Sequence, residues 1–148
     1  MLRLTLAVIH LLALPIGLGA VVVRARALRG PLDPAGLRRV FAADNLWGLS
    51  ALLFLGTGLW RLFGATEKSL DYYLAHPLFH AKLGLFLLIF ALEIRPMIAF
   101  IRWRVRLGRG EAVDTTPAGT FARISWFQAG LVVVMVALAA AVARGLGR

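Results

Sequence analysis

His10, His76, His80 and Lys82 are the residues of this sequence best placed for chemistry, because all four stand in or beside long apolar runs. An ionisable side chain is costly in hydrocarbon, so each one there requires a reason. Neutral imidazole is a common ligand of haem iron and of other transition metals, which makes His10 and His80 candidate haem or metal ligands. The chain has no cysteine, so disulfides, thiolate nucleophiles and Cys-ligated metals are excluded. With fifteen Arg and only two Lys in the sequence, a Lys inside an apolar run suggests a specific role for Lys82. A second polar group comprises Asp44, Asn45, Glu93, Arg95, Ser125 and Gln128, with Arg38 and Arg39 just outside. Opposite charges at similar depth predict pairing, Asp44 with Arg95 and Glu93 with Arg39. Such pairs serve either as glue between helices or as a proton path or anion clamp.

The elements that carry these residues are apolar runs over 4–23, 40–60, 77–101 and 124–143. Each has about the ~20 residues that span a ~30 Å hydrocarbon core. Hydrophobic residues make up 60% of the chain and charged ones 16%, with a mean hydropathy of +0.81. A soluble domain of 148 residues cannot hide so much apolar surface. The net charge of +10 does not indicate a nucleic-acid partner, because the basic residues cluster between apolar runs instead of lining a polar face. The first run is too long for an ordinary signal peptide and is followed by Arg24, Arg26 and Arg29, so it reads as a retained helix. The expected fold is all-α: an integral membrane bundle of four helices in one domain.

Orientation follows from charge. Five Arg lie in 24–39 (Arg24, Arg26, Arg29, Arg38, Arg39) and five in 102–123 (Arg102, Arg104, Arg106, Arg109, Arg123). The stretch 61–76 has two basic residues, Arg61 and Lys68, beside Glu67 and Asp71. The positive-inside rule then puts the first and third connections in the cytoplasm and both termini outside. His10 and His80 consequently fall within about two turns of the outer boundary, on different helices. His10 shares a face with Ala13, Gly17 and Ala20, small residues suited to close packing. His80 shares one with His76 and Gly84, while Lys82 sits about 200° around the helix, from where it can snorkel outward. Pro15 and Pro96 are expected to bend their helices. Trp60, Tyr72 and Tyr73 at one end, and Trp47, Trp103 and Trp126 at the other, suit interfacial belts.

The third run contains Pro77-Leu78-Phe79-His80-Ala81-Lys82-Leu83-Gly84-Leu85, which resembles the His-x-Lys-Leu signature of the HemJ-type bacterial protoporphyrinogen IX oxidases. Ile9-His10-Leu11, followed after an apolar run by Arg24 and Arg26, is similar to that family's first helix. Arg38-Arg39 and Arg123 fall where that family has basic helix starts. As a whole the chain resembles a bacterial family of predicted four-helix membrane proteins, within the wider group joining HemJ-type oxidases to copper-resistance D-like proteins. The resemblance spans about four helices, and His-x-Lys is its most specific part. It implies a bacterial inner-membrane protein with a haem b near the outer face. His10 and His80 would be its ligands, with Lys82 and Arg39 as catalytic partners. Leu92-Glu93 stands where the HemJ-type proteins have Tyr-His, their Pro-Gly kink in the second helix is missing, and the chain ends at Arg148 where they often continue. These departures bear on porphyrinogen oxidation more than on haem binding.

Three readings follow. The first is a haem-b-binding membrane protein, enzymatic or not, with a porphyrin or quinone as candidate substrate and a homodimer able to enclose the cofactor. The second is a non-enzymatic structural or assembly subunit of a membrane complex. The third is a metal or small-solute carrier.

Overall fold

The computed structural model describes residues 1–63 and 77–144. His76, Tyr72, Tyr73 and the charges of the 64–76 segment lie outside the described residues. Four helices follow one another: α1 (Leu2–Ala27), α2 (Pro34–Phe63), α3 (Pro77–Gly108) and α4 (Ala118–Ala143). All four are long and apolar enough to cross a membrane. They overrun the apolar stretches, mostly at the ends that carry arginines. Arginine is a good helix former and does not stop a helix merely because the apolar run has ended.

Local chemistry sets the ends. The Asp33 carboxylate accepts the Gly36 N–H at 2.7 Å, capping α2, and Pro34 takes the first helical position. Gly110, at φ 70°, closes α3. The Glu111 N–H reaches the Arg106 carbonyl and the Gly110 N–H that of Leu107, at 3.0 and 3.1 Å. This is the hydrogen-bond pattern of a left-handed glycine stop.

Each helix turns one seam inward, at alternating steps of three and four residues. Ala13, Gly17 and Ala20 continue to Arg24 on α1; Val40, Ala43, Trp47, Ser50, Phe54 and Thr57 line α2. On α3 the buried residues are Ile89, Pro96, Phe100 and Trp103. On α4 the seam runs from Ala118 through Ser125 to Met135. Such spacing is that of helices packing side by side in a bundle. α1 packs mainly on α2 and also on α4, α4 carries α3, and α3 touches α2 more lightly. The seams bury two apolar layers, one containing Val21, Trp47, Phe54 and Met135, the other Val40, Phe100, Trp103 and Phe121. The outward faces carry Leu, Ile, Val and Phe, as lipid contact requires.

Trp47 and Trp103 are buried rather than interfacial. Trp103 packs against Phe100 and Phe121, and Trp47 serves the polar layer described next. Trp60 and Trp126 are exposed.

Candidate functional site

The densest chemistry surrounds Arg24. This residue is in the last turn of α1 and has no accessible surface. Its Nε donates to the Ser125 hydroxyl at 3.1 Å. One terminal nitrogen donates to Asp44 at 2.9 Å and to Glu93 at 2.7 Å; the other donates to Glu93 at 2.9 Å and to the Gln128 side-chain oxygen at 2.8 Å. A guanidinium has five N–H donors, and all five are used. Trp47 and Gln128 donate to Glu93 at 3.0 and 2.9 Å, and Gln128 also donates to the Ile89 carbonyl. The second Asp44 oxygen accepts from Arg104 at 2.7 Å. The Trp47 and Phe100 rings stand 5.8 and 5.7 Å from the Arg24 guanidinium carbon. Two cations and two carboxylates give a neutral layer that ties together all four helices.

This layer corrects the pairing expected from sequence. Asp44 bonds to Arg24 and Arg104, not Arg95, and Glu93 bonds to Arg24, not Arg39. Arg39 and Arg95 are both exposed. Arg24 is not a loop cation, because α1 continues through it on its buried seam. The clue is present in the sequence: His10, Ala13, Gly17, Ala20 and Arg24 form one stripe of alternating three- and four-residue steps.

A second site lies toward the other end of the bundle. His10 is buried, with its ring stacked on Phe54 at 4.2 Å between centroids. Gly58 permits the approach: a Cβ there would stand 3.3 Å from the imidazole Cε1. His10 Nδ1 lies 2.9 Å from the Thr57 hydroxyl. That hydroxyl also reaches the Leu53 carbonyl on its own helix; when it donates there, it accepts from Nδ1–H. In that tautomer of the neutral ring the lone pair falls on Nε2. Lys82 belongs to the same place. It is half-buried, seven residues before Ile89 on the α3 seam, and its Nζ is 5.2 Å from the Phe54 centroid.

His80 and Lys82 thus exchange the faces expected of them. The α3 seam is set by Ile89, Pro96, Phe100 and Trp103, and stepping back along it reaches Lys82, which leaves His80 exposed. The structure brings His10 and Lys82 to a common ring and puts His80 on the outer face of α3, where it meets Phe79 edge-on at 6.0 Å between centroids. Arg39 is elsewhere, fifteen residues before Phe54 on α2, or roughly 22 Å along the helix. Among the described residues no group of three or more His, Cys, Asp or Glu could hold a metal ion.

Four membrane-length helices around a buried polar layer describe a membrane protein, and a family match over residues 2–147 agrees with them. The chain belongs to the family described as "Predicted membrane protein (DUF2214)". No curated protein and no solved structure matches the chain. Membership of this family accounts for a multi-pass chain in contact with lipid.

Proposed function

We propose that this DUF2214 protein binds haem b in a bacterial inner membrane, with His10 and His80 as iron ligands and Lys82 as a cation beside the site. The Thr57 hydroxyl on His10 Nδ1 carries this reading. A ligating imidazole needs its other nitrogen held by a hydrogen bond and its lone pair on the metal side, and the Thr57 hydroxyl is placed to hold Nδ1 in that way. The donor set is also compatible with haem. A porphyrin brings four nitrogens of its own, so one or two imidazoles suffice where a bare ion would need a cluster. His80 lies on an exposed face, so a ligand role for it fits a contact with a second copy, in a homodimer. If the protein acts on a porphyrin or a quinone, bound haem supplies the electron transfer. The chain's own residues hold the imidazole (Thr57), flank it (Phe54) and place an amino group against the same Phe54 ring (Lys82).

The test is the absorption spectrum of protein purified from a haem-replete host. A b-type Soret band is expected, lost or shifted to a high-spin form in His10→Ala and in His80→Ala. Lys82→Ala should keep the band and move the reduction potential. A colourless wild type, with both His variants changing only the melting temperature, would overturn the haem reading. The second reading, a non-enzymatic structural or assembly subunit, would then take its place. It is favoured by the complete hydrogen bonding of Arg24, which is what an architectural tie requires.

A further inference from the structure

Between α1 and α2, on the lipid-facing side of the bundle, runs a groove of about 740 Å³. This is within the range of ~300–1,000 Å³ typical of small-molecule sites. Its floor is made of small residues, Gly19, Ala20, Ala42 and Ala43, and Pro15 stands at its far end. At the end nearest the α1–α2 turn, Arg26 on α1 and Arg39 on α2 line the groove. Both arginines are exposed, and among the described residues neither forms an ion pair with a carboxylate. The nearest acids in sequence are both engaged, Asp33 as the cap of α2 and Asp44 with Arg24 and Arg104.

We infer that this groove binds one anionic phospholipid of the surrounding bilayer, with its phosphate between Arg26 and Arg39 and an acyl chain along α1 toward Pro15. Three observations select this occupant. The groove is apolar except at one end, as a lipid is, and its charged end is positive. From Pro15 to Arg26 is eleven residues, or roughly 16 Å of helix, about the depth of one leaflet of a ~30 Å core. Arg26 is in the last turn of α1 and Arg39 near the start of α2, so both stand at the membrane boundary, where phosphates lie. A second copy suits the groove less well, because across a two-fold axis it would set its own Arg26 and Arg39 against these. Arg39 then serves lipid recognition, apart from His10 and Lys82.

Native mass spectrometry of the full chain in detergent provides the test, with phosphatidylglycerol and phosphatidylcholine of the same acyl composition. Each basic residue near an anionic headgroup is worth about fivefold in affinity, so two predict roughly a thirtyfold preference for phosphatidylglycerol, with a single lipid retained. Arg26→Gln with Arg39→Gln should remove that preference while leaving weak retention of both lipids. Gly19→Leu provides a second, independent variant. A Cβ at Gly19 meets nothing within 4 Å, so the fold should tolerate the change while the side chain occupies the acyl track and releases the lipid. Equal retention of the two lipids by wild type would overturn the proposal, as would an unchanged preference in the double Gln variant. Soluble glycerol phosphate retained as well as phosphatidylglycerol would overturn it in favour of a bare anion site. A dimer that Gly19→Leu splits, with lipid retention unchanged, would overturn it in favour of a contact between copies.

Discussion

The buried Arg24 bonds to side chains of all three other helices, and its environment shows why an arginine stands there. Lysine would bring the same charge but only three donors on a point-like head, whereas this site presents acceptors on α2, α3 and α4 to all five donors of the guanidinium. Removing one partner of a buried pair leaves an uncompensated charge, which costs up to about 3–5 kcal/mol in soluble proteins and less where membrane helices can find other partners. Glu93→Leu and Arg24→Met should therefore each lower the unfolding midpoint in detergent. The double variant removes one charge of each sign and leaves Asp44 with Arg104, so it should be more stable than either single one. Strictly additive losses in that cycle would show that the two residues do not act as a pair. At this scale the sequence is partly legible. His10 and its stripe of small residues are visible as a buried face, and the stripe reaches Arg24 if it is followed one step further. Reading Arg24 as a loop cation fails because charge alone does not say where a helix ends. The partners of Asp44 and Glu93 were not legible, because depth along the membrane does not specify azimuth around the bundle.

The helices themselves follow from hydropathy, and the apolar runs locate all four. Their ends do not follow, since α2 starts at Pro34 and α3 runs to Gly108, well into charged sequence. Capping chemistry decides those ends, and it distinguishes two glycines that look alike in sequence. Gly110 has φ 70°, which costs a residue with a Cβ roughly 1–2 kcal/mol. Gly30 shows no such backbone, and a Cβ there would lie at an ordinary 3.6 Å from the Ala27 carbonyl oxygen. Gly110→Ala should lower the melting temperature, and Gly30→Ala should leave it unchanged or raise it slightly by restricting the unfolded chain. Equal effects would mean that the left-handed stop on α3 contributes nothing. The orientation of α3 also belongs to this scale. Counting around the helix from His80 alone gives the wrong face, because a helix is turned by its bulkiest buried residues, and Phe100 and Trp103 set the seam that brings Lys82 inward.

Across the whole molecule, the buried layer changes how the positive-inside count should be made. Arg24 and Arg104 are both bonded to Asp44, so neither is a free cation at the surface. The α1–α2 end keeps Arg26, Arg29, Arg38 and Arg39, and the α3–α4 end keeps Arg102, Arg106, Arg109 and Arg123, which makes four and four, or eight. By sequence position alone, Arg3, Arg61, Lys68, Arg144 and Arg148 are counted on the other side, which makes five. The asymmetry is smaller than the connections alone suggest, but its sign holds, and loop cations close to the helix ends are those that set orientation. Both termini are therefore expected outside the cytoplasm, with the Arg26–Arg39 end of the lipid groove in the cytoplasmic leaflet. The absence of native cysteine allows a direct measurement with single introduced thiols. Ala112→Cys lies in the exposed α3–α4 connection, and Leu2→Cys near the exposed start of α1. In intact spheroplasts a membrane-impermeant maleimide should label Leu2→Cys at once and Ala112→Cys only after permeabilisation. The reverse pattern at both positions would invert the bundle, move the groove to the outer leaflet, and place His10 and Lys82 toward the cytoplasm.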